Sequence, residues 1–91
     1  MKLGRVIGRT VATKKYERMT GYKYLLVQPV DFELKEEGEP TIAVDAIGAG
    51  AGEIVILAKG GEAMLALGDN PPPIDKACVA IVDNIYYYKD A

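Results

Sequence analysis

The sequence predicts an all-β fold: a small five-stranded Greek-key barrel of the oligonucleotide-binding (OB) type with one short helix. Three observations carry this expectation. Five stretches rich in β-branched and aromatic residues run through the chain. Glycine and proline signals separate them. One segment only, Glu62–Leu67, is built of good helix formers, enough for one or two turns before Gly68. The spacing of these elements equally permits another small barrel.

Residues 2–12 (KLGRVIGRTVA) read as the first strand, because Gly4, Gly8 and the β-branched residues all oppose a helix. Two glycines four apart suggest bends or close backbone approaches at barrel corners. The polar stretch 13–21 is a connection ending at Gly21. Tyr22–Val30 is the second strand. Both of its parities are largely apolar, so both faces need a cover, one from the core and the other available to a neighbouring subunit. Pro29 lacks an N–H, so the strand ends or reaches an edge there. Phe32–Pro40 (FELKEEGEP) is an exposed loop, and Thr41–Ile47 the third strand. Gly48–Gly52 (GAGAG) then leads through Glu53 into the fourth strand, Ile54–Ala58. After the helix, the three prolines of Asp69–Asp75 form a stiff connector. Val79–Tyr88 (VAIVDNIYYY) is the fifth strand.

Residues 1–91 are expected to form one domain. A chain this short buries only roughly 60–65% of its unfolded surface, and oligomerisation is an ordinary remedy. The N-terminus has no apolar stretch suited to a signal peptide and no segment is long enough to span a membrane, so a cytoplasmic protein is expected. Cys78 is the single cysteine, which leaves no intrachain disulfide; it reads as a small buried hydrophobe rather than a reactive thiol. The net charge of −2 conceals an asymmetry. Residues 1–30 carry seven basic residues against Glu17 alone, and residues 31–91 carry four lysines against twelve acids. This is either charge scattered over a surface or a pair of complementary faces that orient one copy against another.

The composition argues against most catalysis. Histidine and tryptophan are absent, which removes the usual acid–base and zinc ligand sets. Asp45 and Glu53 flank the glycine loop and could approach one another, but no nucleophile or metal cluster joins them. Their ordinary role is local, with Glu53 accepting N–H groups of the glycine turn or pairing with a base. The loop lacks the Lys-Ser/Thr ending of a P-loop and the following helix of a dinucleotide site, so it reads as a tight, sterically constrained turn. Gly50→Val is expected to impair folding or closure if the loop packs closely or uses a positive φ. Lys14, Lys15, Arg18 and Lys23 beside Tyr16, Tyr22 and Tyr24 leave a single-stranded nucleic-acid-binding module as the alternative function. Against it stands the acidic balance of the whole chain.

Four pieces, in order, go beyond a generic barrel: GRVIGRTVAT (Gly4–Thr13), GYKYLLVQPVD (Gly21–Asp31), AVDAIGAGAGE (Ala43–Glu53) and VAIVDNIYY (Val79–Tyr87). Together they resemble the bacterial microcompartment vertex-protein family, the pentameric shell proteins of the EutN/CcmL type. The resemblance implies an OB-like barrel with no nucleic-acid role, no enzymatic activity and no cofactor or metal. It implies a homopentamer that caps the fivefold vertices of a cytoplasmic protein shell otherwise tiled by hexameric proteins. In that setting Gly48, Ala49, Gly50, Ala51 and Gly52 would line a narrow opening on the fivefold axis, with Asp45 and Glu53 as structural supports. Arg5, Arg9, Lys14, Lys15 and Arg18 become candidates for contacts between subunits or with hexamers. Head-to-tail closure suits a bipolar charge distribution, while the number five rests on the resemblance alone. The GGEAML segment and the YYYKDA terminus depart from the family pattern.

Overall fold

The computed structural model describes residues 1–13, 15, 17–68, 72 and 74–88. Lys14, Tyr16 and most of the proline connector lie outside the described residues. The elements are β1 (Lys2–Arg9), a 3₁₀ turn (Glu17–Met19), β2 (Lys23–Val30), β3 (Thr41–Asp45), β4 (Ile54–Lys59), α1 (Gly61–Leu67) and β5 (Lys76–Val82). They close a barrel in the order β1-β2-β3-β5-β4. Within that ring the run β4-β1-β2-β3 is a Greek key, and β5 fills the gap between β3 and β4. The barrel is therefore closed. Its shortest seam is β3–β5, parallel, with two pairs, Val44↔Ala77 and Asp45↔Cys78.

Closure depends on β1, which pairs with β2 on one side and β4 on the other. Gly4 sits between Pro29 of β2 and Val55 of β4. A Cβ there would stand 2.4 Å from Val27 Cγ1 and 3.2 Å from Leu57 Cδ1, so the close approach inferred from the sequence is real. The β1–β2 register slips between Val6 and Gly8, leaving Ile7 as the extra residue and bending the strand as a bulge does. Inside the ring, Val6, Leu25, Val27, Ala43, Ala49, Val55, Leu57 and Cys78 form one packed cluster. A second, outer cluster packs Ala63 of α1 on Ala58 and Ala77.

Both faces of β2 are covered, and the outer cover comes from the chain itself. The 31–40 loop folds back over the end of the strand. Val30 bridges Glu36, and Gln28 Nε2 donates to the carbonyls of Pro29 (2.9 Å) and Gly38 (3.0 Å). Near the strand start, Tyr24 is buried, its hydroxyl donating to Met19 O of the 3₁₀ turn at 2.9 Å. Pro29 does not end the strand. It lies beyond the last β2–β3 pair, Val27↔Thr41, where its missing N–H interrupts no ladder to β3.

The fifth strand differs most from the sequence reading. It starts three residues earlier, at Lys76, and stops at Val82 instead of Tyr88. Val82 pairs with Ile54, the first residue of β4. Beyond it the ladder has no continuation, because the Glu53 carbonyl accepts from Val6 N and the Glu53 N–H donates to Gly50 O. Residues 83–88 continue as an exposed tail, and Tyr87 rests on Phe32 with ring centroids 4.9 Å apart.

Candidate functional site

The Greek key requires the chain to pass from the end of β3 to the far side of β1, and residues 46–53 make that crossing over one end of the barrel. The passage begins at Asp45. Its Oδ1 accepts the N–H groups of Ile47 (3.1 Å), Gly48 (2.9 Å) and Ala49 (3.2 Å). The backbone thereby turns back on itself, and the third strand ends at Asp45 instead of Ile47. Ala46 N–H closes the parallel β3–β5 ladder there, donating at 3.2 Å to the carbonyl of Cys78, the partner of Asp45.

Two features hold the middle of the loop. Ala49 enters the barrel core and is fully buried, while Lys23 Nζ donates to its carbonyl at 3.2 Å. At the far side Glu53 Oε1 accepts the Gly50 N–H, and Gly52 N–H donates to Val6 O at 2.8 Å. The loop is thus tied to β2, β1 and its own two flanking carboxylates. Gly48 and Gly52 both adopt φ of +80°, a conformation that glycine takes at little cost. Gly50 is not a positive-φ position; a Cβ there would meet Glu53 Oε1 at 3.3 Å. What faces outward is small: Ala46, Gly48, Ala51 and Gly52 are exposed, with Ile47 the largest exposed side chain of the loop.

Asp45 and Glu53 are brought to the same loop, but both are engaged with backbone donors rather than poised for chemistry. The Asp45 side chain is 2% exposed, with the Lys23 ammonium 3.8 Å from Oδ2. Among the described residues no group of three or more His, Cys, Asp or Glu could hold a metal ion. Cys78 is fully buried, and burial, aided by the nearby Asp45 charge, pushes its thiol up to about 11. That is an inert thiol at neutral pH.

Among the described basic residues of the first third, Lys2, Arg5, Lys15 and Lys23 each reach a different partner. Arg5 Nη2 donates to Leu34 O at 3.2 Å and so ties β1 to the 31–36 turn. Lys2 pairs with Glu37, and Lys15 Nζ reaches Ala12 O at 3.3 Å. Arg9 and Arg18 are exposed, and Lys14 is outside the described residues. Of the tyrosines proposed as stacking platforms, Tyr24 is buried and its hydroxyl is raised above the ordinary value by that burial and by Tyr22. Tyr22 is partly buried and Tyr16 is not described. No helix among the described residues is long and apolar enough to cross a membrane.

Two participants were not visible in the sequence reading: Lys23 as a partner of the loop, and Ala49 as a core residue. Lys23 has a signal only once β2 and β3 are placed in register, where it faces Asp45. Ala49 has none, since Ala49 and Ala51 have the same glycine neighbours.

The chain resembles known proteins over nearly its full length. Residues 1–83 match the family described as ethanolamine utilisation protein EutN/carboxysome. The bacterial microcompartment shell vertex protein GrpN of Rhodospirillum rubrum is 42% identical over 85 residues, covering 93% of this chain and 96% of GrpN. The solved structure of that pentameric microcompartment shell protein superimposes with a TM-score of 0.86 at 40% identity, covering 97% of this chain and all of GrpN's. CcmL of Nostoc sp. gives a TM-score of 0.88 at 38% identity, covering 98% of this chain and 99% of that one. A closed β1-β2-β3-β5-β4 barrel, crossed by a glycine loop and matched along its length at these identities, belongs to the EutN/CcmL family.

Proposed function

We propose that this chain is a structural shell protein, not an enzyme, and that it forms homopentamers capping the fivefold vertices of a polyhedral bacterial microcompartment in the cytoplasm. The observation that carries the reading is the end-to-end match to GrpN, whose solved structure is that of a pentameric shell protein. The work of such a protein is geometric. A sheet of hexagonal tiles cannot close into a polyhedron, and fivefold units supply the missing curvature.

The glycine crossing suits a place near the fivefold axis. Its outward surface of small residues permits five copies to approach closely, and its ties to Asp45, Glu53, Lys23 and Val6 fix its shape before assembly. In this reading Gly48–Gly52 surround a narrow opening, and hexameric shell proteins are the neighbours of the pentamer. The single-stranded nucleic-acid alternative is not favoured. Burial of Tyr24 removes one of its three platforms, and Lys15 and Lys23, two of the basic residues it needs, are drawn to the carbonyls of Ala12 and Ala49.

Native mass spectrometry tests the assembly: the expected species has five times the 9.8 kDa chain mass. A stable monomer at micromolar concentration overturns the reading. Co-expression with a hexameric shell protein tests the role, with closed polyhedra expected when the chain is present and open sheets or tubes when it is not.

A further inference from the structure

Two apolar grooves lie on different flanks of the barrel, and their charged lining residues are opposite in sign. The first, ≈ 670 Å³, lies where the 31–36 turn, the start of β4 and the tail after β5 meet. Phe32, Leu34, Ile54, Ile85 and Tyr87 give it an apolar lining, and its charged residues are Glu33 and Asp83. The second, ≈ 430 Å³, lies where the 10–15 segment meets β2 and β3, with Val11, Met19, Tyr22 and Ile42 in its wall and Lys15 as its charged residue. A further groove continues from Ile42 past Asp75 and Lys76, whose charges cancel. Val11 stands proud of the second surface, 82% exposed.

Isolated apolar side chains on a surface are ordinary; contiguous apolar grooves rimmed by charge mark contact sites. A closed ring of identical subunits needs two different surfaces on each copy that fit one another head to tail. We infer that the Phe32–Tyr87 groove of one copy receives the Val11–Ile42 surface of the next, with Lys15 brought against Glu33 and Asp83. The occupant is thus a second copy of this chain, and the inference rests on the pentamer reading above. Three things select it over another partner. The charged residues lining the two grooves are opposite in sign, the grooves are apolar in their centres, and the pentameric relative matches from end to end. The apolar centre carries the affinity and the rim charges fix which face meets which. Phe32 and Tyr87, already packed on one another, provide a preformed aromatic floor of the kind enriched at interface centres.

Native mass spectrometry and sedimentation at micromolar concentration test the pairing. Val11→Asp should weaken assembly at least tenfold, whereas Leu65→Asp, on the outer helix and 85% exposed, should leave the pentamer intact. Both positions are exposed in the single chain, and circular dichroism checks that each variant is folded. Reversing one rim, by Lys15→Glu or by Glu33→Lys with Asp83→Lys, should also weaken the ring; all three changes in one chain should restore it. A pentameric wild type whose Val11→Asp variant assembles like Leu65→Asp overturns the surface assignment alone. So does a triple variant no better assembled than the one-sided reversals. A monomeric wild type overturns the pentamer reading and this pairing with it.

Discussion

Lys23 and Asp45 face each other across the β2–β3 ladder, and the lysine bridges the carboxylate to the loop that follows it. Its Nζ lies 3.8 Å from Asp45 Oδ2 and 3.2 Å from Ala49 O. The two residues do unequal work. The Asp45 side chain is almost fully buried and collects three backbone N–H groups on one oxygen, while half of the Lys23 side chain is exposed. Removing an acceptor leaves those donors unpaired, at about 2–3 kcal/mol for a charged hydrogen-bonding group. An exposed ammonium contributes about 0–1 kcal/mol. Asp45→Ala should therefore destabilise by about 2–3 kcal/mol and Lys23→Met by under about 1 kcal/mol in urea denaturation at fixed chain concentration. Equal losses would show that the ion pair, not the N–H acceptor, holds the loop.

The three glycines of the crossing should respond differently to one methyl group. Gly48→Ala and Gly52→Ala force an alanine to φ of +80° and should each cost about 1–2 kcal/mol. Gly50→Ala meets no such backbone penalty, only the Glu53 carboxylate at 3.3 Å, which a side chain can relieve by a small shift. Its loss should be the smallest of the three. Thermal melts of the three variants decide this, and a Gly50→Ala loss equal to the others would place its importance in packing between subunits.

The contrast shows which parts of the site were legible in the sequence. That the loop is tight follows from GAGAG itself. Which glycine bears the strain, and which alanine turns inward, depends on where Asp45 and Glu53 draw the N–H groups, and composition holds no record of that. The strands show the same division. Their existence followed from β-branched runs, and Gly4 announced a close approach that the barrel makes against Val27. Their ends did not follow. Val79–Tyr88 has the residues of a strand throughout, yet β5 stops at Val82 because β4 begins opposite it at Ile54. It starts earlier than the apolar run because Ala77 and Cys78 pair with β3 as well as β4. A strand's length is a property of its neighbours.

Gly4 and Val27 should behave as a coupled pair. A methyl at position 4 would lie 2.4 Å from Val27 Cγ1, and Val27 is fully buried with a stiff β-branched side chain, so the neighbour cannot swing aside. Gly4→Ala should cost about 1–3 kcal/mol by overpacking, and Val27→Ala about 1–3 kcal/mol by leaving a cavity. In the double variant the new methyl occupies part of the space that the old one vacates. Its loss should fall below the sum of the single losses by at least about 1 kcal/mol. Additive losses in a double-mutant cycle would mean that the Leu57 contact, or the β1 backbone, dominates.

Cys78 gives the barrel a defined response to alkali. Burial first, and the Asp45 charge second, raise its thiol from 9.0 to about 11. Below pH 9 the thiol is neutral in both the folded and the unfolded chain, and its full contribution to stability is present. Between pH 9 and 11 the unfolded chain ionises first, so unfolding releases a proton and stability falls as pH rises. The loss is complete only above the folded value. Tyr24, also raised, titrates in both chains of a comparison with Cys78→Ala and largely cancels. The stability gap between wild type and Cys78→Ala should therefore shrink by about 2 kcal/mol from pH 8 to pH 11 at fixed chain concentration. In the same chain at pH 8, a thiol reagent should modify Cys78 only after denaturant is added. A gap independent of pH, together with rapid labelling of the native protein, would mean that the β3–β5 seam, only two pairs long, opens readily enough to hydrate the sulfur.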